Sequence, residues 1–279
     1  MKDNQRRIPG KKLVSKHTAA IGSHIIEKKE KAGNFLSDTG NAALFIIRMI
    51  REIFSVDFEY KEFFRQCFET GYRSLPLVIT TGGIMGLVLT IQSRPILSDF
   101  GAESMLPGMV AVSMIREIGP VITALICAGK IGSGIGAEIG SMKVTEQIDA
   151  MEVSAVNPLR FLVVTRVLAV TLMLPVLVLF ADAAGLFGSW VGVNIKGSVG
   201  LVLFLSHAFA SVEFIDFIPA LLKSFLFGLV IGLVGCYKGF TAGRGTESVG
   251  IAATSSVVMA SLLVIITDMI AVQITDMLQ

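Results

Sequence analysis

Apolar residues gather in long runs separated by short polar stretches. Five runs approach or exceed the roughly 20 residues that cross a bilayer as a helix. They lie at about 75–91, ending at "QSRP", at about 105–139, at about 158–193, at about 217–237 and at about 249–272. The third opens well, with Asn157 as a cap and Pro158 in the first turn. The short alternating segments and regular turns of a membrane barrel are missing. Ahead of the runs, "NAALFIIRMIREIFSVDFEYKEFFRQCFETGY" (41–72) sets Ile46, Met49, Ile50 and Ile53, then Tyr60, Phe64, Cys67 and Phe68, at helical spacing among charges. That pattern predicts a helix lying in the membrane surface, although a helix packed on protein would read alike. Residues 1–40 are polar and Lys-rich, without the apolar run of a cleavable signal, and predict a disordered basic tail that is not translocated.

Composition agrees with an all-α integral membrane protein. Of the 279 residues 53% are hydrophobic and 16% charged, and the mean hydropathy is +0.72, too apolar for a soluble domain. More than half of the 24 lysines and arginines precede residue 74. The N-terminal region, the segment with Lys143 and Arg160 and the loop with Lys238 and Arg244 alternate with loops holding Arg94 and Lys196. Basic loops stay in the cytoplasm, so the N-terminus is expected inside and, after five crossings, Gln279 outside. Cys67, Cys127 and Cys236 have no paired spacing and read as small buried residues.

Charges inside the runs carry the functional signal, because each costs about 2.5–3.5 kcal/mol at a helix centre on insertion scales. Counting about 1.5 Å per residue from the assumed helix ends places Arg116, Glu117, Asp182, Lys223 and Asp268 in the outer half of the bilayer. Two bases and three acids nearly neutralise one another if they meet. Two readings stay open: an ion-pair network that fixes helix packing, or a polar rim that handles a substrate headgroup. Gly132, Gly136 and Gly140, like the pairs Gly188–Gly192 and Gly228–Gly232, repeat at four residues and predict close helix packing. "GKIGSGIGAEIG" fits neither nucleotide-loop template, since Ile139 stands where the dinucleotide fingerprint needs glycine and Gly-Lys-Ser/Thr is absent. No metalloprotease or serine-hydrolase motif is present, and His17, His24 and His207 are scattered. No metal site is expected, and work against a gradient would draw its energy from a partner. Between runs two and three, Glu146, Asp149 and Glu152 recur every three residues while Ile148 and Met151 face elsewhere. The segment at about 141–156 therefore predicts a short cytoplasmic helix for a soluble partner to grip, although a plain solvated turn would look similar.

The stretch "IREIGPVITALICAGKIGSGIGAEIGSMKVTEQIDAMEVSAVNPLRFLVVTRVLA", the "FAD" at Asp182, "KSFLFG" and "GCYKGFTAGRGTESVGIAATSSVV" closely resemble the MlaE/YrbE family, permease subunits of MCE-associated ABC lipid transporters. The resemblance runs from about residue 45 to the end and leaves the basic tail outside. It implies an MlaE-type fold, an interfacial helix and five spans in a homodimer in the bacterial inner membrane, beneath a periplasmic MCE-domain hexamer of the MlaD type. It implies a cytoplasmic MlaF-type ATPase that binds the ATP and Mg, a small MlaB-type STAS protein in some systems, phospholipid as substrate, no cofactor in this chain and no nucleic acid. Glu146, Gln147, Ile148, Asp149 and Ala150 match the family's E-Q-I-D-A element, implied to seat in the ATPase. Arg116, Glu117, Lys223 and Asp268 match recurring charges near its lipid cavity. Plastid relatives raise a transit peptide, but Asp3, Glu27, Glu30 and the lysines of the tail argue for a bacterial origin. Two other classes are distinguishable by experiment: an intramembrane lipid-modifying enzyme, and a scaffold that only anchors an MCE protein and an ATPase.

Overall fold

The structure, a computed structural model, describes residues 40–53, 58–195 and 197–278, so the predicted tail lies outside it but for Gly40. Every regular element among the described residues is helical. The helices are α1 over 40–53, α2 Tyr60–Gly71, α3 Leu75–Asp99, α4 Glu103–Val144 and α6 Leu159–Asn194, α5 Gln147–Val153, α7 Leu201–Ala210, α8 Phe214–Phe240 and α9 Thr246–Leu278. Five apolar spans are long enough to cross a membrane; the first joins α2 to α3, and the others are α4, α6, α8 and α9. Contacts divide the chain into Met1–Ile50 and Arg51–Gln279, and the account below concerns the second unit.

Local chemistry sets several helix ends. The Asn157 side chain accepts the backbone N–H groups of Leu159 (3.1 Å) and Arg160 (3.4 Å). A reciprocal capping box between Glu213 and Asp216 opens α8. Past α3 the chain turns at Gly101, and before α9 at Gly245, both at positive φ (67° and 89°) that glycine adopts without strain. The predicted single helix at 41–72 is two, α1 and α2. In α2 Glu62, Gln66 and Thr70 are buried while Tyr60, Phe64, Phe68 and Tyr72 are exposed. An apolar face turned outward suits lipid. Buried Glu62 is met by Arg65 (2.8 Å) and Gln66 (2.8 Å), which offsets the cost of enclosing its charge.

α6 forms the centre, 67% buried over its apolar window against 28% for the α2–α3 span and 22% for α9. Its closest neighbour is α3. Gly86 lies against the backbone of Gly185, and Gly188 against that of Gly83, so near that any side chain would overlap main chain. Small residues let membrane helices approach in this way. The predicted glycine stripe on α4 is looser: a Cβ at Gly132 would stand 3.7 Å from Ile231 and one at Gly140 3.5 Å from Ala242, whereas one at Gly136 would meet Ser256 Oγ at 2.5 Å. Alanine at Gly136 is therefore expected to cost about 1–3 kcal/mol through overpacking. At Gly132 or Gly140 helix propensity, up to about 1 kcal/mol in alanine's favour, should leave stability unchanged or raised. Thermal unfolding of the three variants in detergent checks the ranking.

Wide π-helical turns interrupt α4 at Met114–Ile118 and Ala128–Gly132 and open α6 at Leu159–Val164. Pro120 accounts for the first: without an N–H it cannot bond the carbonyl four residues back, and Gly119 reaches back five, to Met114. One element escaped the hydropathy pattern. The ten-residue apolar helix α7 is too short to cross a bilayer, and it packs Phe204 and Ala208 onto Leu106, Val110 and Met114 of α4.

Candidate functional site

The widened turn at Met114–Ile118 carries Arg116 and Glu117 toward α8. Lys223 of α8, 4% exposed, bonds Glu117 at 2.7 Å and Asp268 of α9 at 3.2 Å, tying three helices together. Arg116 bonds not Asp182 but Asp216, through Nε at 2.6 Å and through a second guanidinium nitrogen to the same oxygen. The other oxygen of Asp216 accepts the backbone N–H of Glu213 at 3.0 Å, so the carboxylate that caps α8 also holds Arg116.

Four residues singled out in the sequence thus meet, and the fifth does not. Asp182 of α6 lies against Gly119 of α4 instead, and its place among the charges is taken by Asp216. Depth along a helix axis fixes height but not direction, and so it could not separate the two acids. A sequence signal for Asp216 was available in Glu213-x-x-Asp216 ahead of an apolar run. A second deep cation was missed: Arg166 of α6, 1% exposed, bonds Glu138 of α4 at 2.8 Å and the Leu162 carbonyl at 3.0 Å.

Two cavities meet at this cluster. A polar one of about 100 Å³ is lined by Arg116, Glu117, Asp216, Lys223, Thr275 and Asp276. An apolar one of about 500 Å³ runs between α8 and α9, walled by Ile218, Leu222, Leu226, Ile270 and Ile274. Ile215, Pro219, Lys223 and Thr275 line both, so charge stands at the head of a greasy slot. No group of three or more potential metal ligands occurs among the described residues.

At the far end of α4, α5 presents the E-Q-I-D-A residues. Ile148 is 1% exposed and anchors the helix, while Glu146, Gln147, Asp149 and Ala150 face outward. Asp149 pairs with Lys143 at 2.9 Å. Glu146 and Ala155 bracket α5 at positive φ (60° and 59°), a conformation that costs a non-glycine residue about 1–2 kcal/mol. Such strain persists where the surroundings fix the shape.

Five apolar spans, an apolar slot headed by charge and a short helix projecting from the opposite end define a multi-pass membrane permease. Residues 63–274 match the family described as permease MlaE; the chain belongs to that family. It is 37% identical over 248 residues to a protein of Rickettsia typhi named probable ABC transporter permease protein, covering 89% of this chain and 93% of that one. It is 38% identical over 208 residues to the intermembrane phospholipid transport system permease protein MlaE of Haemophilus influenzae, covering 74% and 79%. A Synechocystis protein, also named probable ABC transporter permease protein, is 35% identical over 198 residues, covering 71% and 75%.

Proposed function

We propose that this chain is the permease subunit of an ATP-driven system that moves phospholipid between the bacterial inner membrane and a periplasmic MCE protein. The carrying observation is the apolar cavity of about 500 Å³ that shares Lys223 with the polar cavity beside it. A phospholipid offers acyl chains to the slot and an anionic phosphate to the cations at its head. The rim residues would be Arg116, Glu117, Lys223 and Asp268, with Asp216 holding Arg116.

The family and the charge pattern support the remaining parts of this reading. An MlaF-type ATPase, carrying the ATP and Mg, would seat on α5, in some systems with an MlaB-type STAS protein. Basic loops at Lys143, Arg160, Lys238 and Arg244 favour a cytoplasmic N-terminus and a periplasmic C-terminus. Leu262, Ile265 and Met269 of α9 are exposed, an apolar face suited to a second copy in a homodimer beneath an MCE hexamer.

Filling the slot tests the reading. Leu222 and Ile270 line it and are 59% and 49% exposed, so tryptophan at either fits without disturbing the core. Native protein purified with its partners should carry phospholipid by mass spectrometry, with an ATPase and an MCE protein alongside. Leu222→Trp and Ile270→Trp should keep the proteins and lose lipid by about tenfold, as for a binding loss near 1.4 kcal/mol. Unchanged lipid content would remove the slot from the pathway. Turnover of a lipid by the chain alone would indicate an enzyme, and normal transfer with the slot filled would indicate a scaffold.

A further inference from the structure

Asp182 is a buried acid that the charge cluster does not use. It is 7% exposed, inside the central helix of the bundle, and its Oδ1 has no hydrogen-bond partner. A carboxylate oxygen enclosed in this way has given up its water and gained no hydrogen bond in its place. The charged groups on the neighbouring helices are engaged elsewhere. On α4, Arg116 and Glu117 turn to Asp216 and Lys223. On α8, Lys223 is held by Glu117 and Asp268. α3 has no charged residue before Arg94, and on α2 Glu62 pairs with Arg65 while Glu69 pairs with Arg73.

What Asp182 does face is the widened turn. The point that a Gly119 Cβ would take is occupied by Asp182 Oδ1, and the Met114 carbonyl oxygen lies 2.9 Å from that same point. Any side chain at Gly119 would push the acid away. The turn itself is short of donors, because Pro120 supplies no N–H and the Gly119 N–H has been drawn back to Met114. The Met114 carbonyl, which accepts the Gly119 N–H on one lone pair and has a second to offer, thus stands beside a carboxyl oxygen without a partner, and a proton on that oxygen would satisfy both.

We propose that Asp182 is held as the neutral carboxylic acid and donates its O–H to the Met114 carbonyl at the head of the Met114–Ile118 turn, making it the positioning residue for Arg116 and Glu117. It touches no substrate. It keeps the π turn open in the register that points the two charges at α8. Its effect on transport rests on the function proposed for those charges; its protonation state does not.

The test pairs two readouts on the full chain. Infrared difference spectra of native protein minus Asp182→Asn, in lipid at pH 7, should show the C=O stretch of a protonated carboxyl group. In the complete complex, with vesicles of phosphatidylethanolamine and phosphatidylglycerol as probe, Asp182→Asn donates through its amide and should keep lipid transfer within about twofold. Asp182→Leu, equally uncharged but without a donor, should lose about tenfold while being produced at native yield. Absence of the protonated-carboxyl band at pH 7, or equal loss in the Asn and Leu variants, overturns the assignment. Should native complex fail to transfer lipid, the transport proposal falls while the infrared result still decides the state of Asp182.

Discussion

Alanine at Lys223 is expected to reduce lipid transfer to background and to destabilise the protein sharply. Lys223 is the cation between Glu117 and Asp268, and its side chain is only 5% exposed. Its removal leaves two acids facing one point in a poorly hydrated interior. Breaking a buried pair by deleting one partner costs about 3–5 kcal/mol, because the remaining charge is uncompensated. Glu117, with its side chain 44% exposed, retains some water; Asp268, at 19%, retains little, so most of the penalty falls on Asp268. Neutralising the whole set as Lys223→Met, Glu117→Gln, Asp268→Asn should therefore restore native yield and thermal stability. Transfer then separates the two roles left open by the sequence. A stable triple variant that moves no lipid identifies the cluster as headgroup machinery. One that moves lipid normally identifies it as helix packing and refutes the rim. Unfolding in detergent and transfer in reconstituted vesicles give the two numbers needed.

The parts of this site that could be read in advance are those governed by one dimension. Run length marks the apolar spans because a bilayer has one thickness, and height along a span brings Arg116, Glu117, Lys223 and Asp268 to one level. What escaped is direction around the axis. Each π turn in α4 inserts a residue into the helical phase, so facing cannot be counted across Met114–Ile118 from sequence. Height alone places Asp182 of α6 with the rim, and Asp216 escapes because the apolar run reads as starting one residue later. Glycine spacing had a related weakness. The stripe Gly132, Gly136, Gly140 and the pair Gly82, Gly86 have the same period, yet the closest approach is at Gly86. Which neighbour lies opposite is a tertiary fact that no period contains. α7 was missed for a simpler reason: a ten-residue apolar helix falls below the length by which spans are recognised.

Charge reversal on the exposed face of α5, as Glu146→Lys with Asp149→Lys, is expected to abolish ATP-driven transfer while leaving the permease folded. Both side chains are exposed, and the Lys143–Asp149 pair is of the solvated kind that contributes about 0–1 kcal/mol. Stability should therefore barely move. A partner seated on this acidic face would instead meet two like charges, and the ATPase should no longer co-purify. Ile148 supplies the contrasting case. It is 1% exposed and is the buried side chain of a seven-residue helix, so truncation to alanine should cost about 2–5 kcal/mol and loosen the mount. A loosened lever predicts a different defect: the ATPase still binds and hydrolyses ATP, but hydrolysis no longer drives transfer. The two lesions separate grip from transmission, and measuring ATPase retention beside the ratio of lipid moved to ATP consumed reads both. If the reversed double variant keeps both its partner and full transfer, force enters the membrane elsewhere. α5, bracketed by strained residues at Glu146 and Ala155, would then be a turn between spans and nothing more.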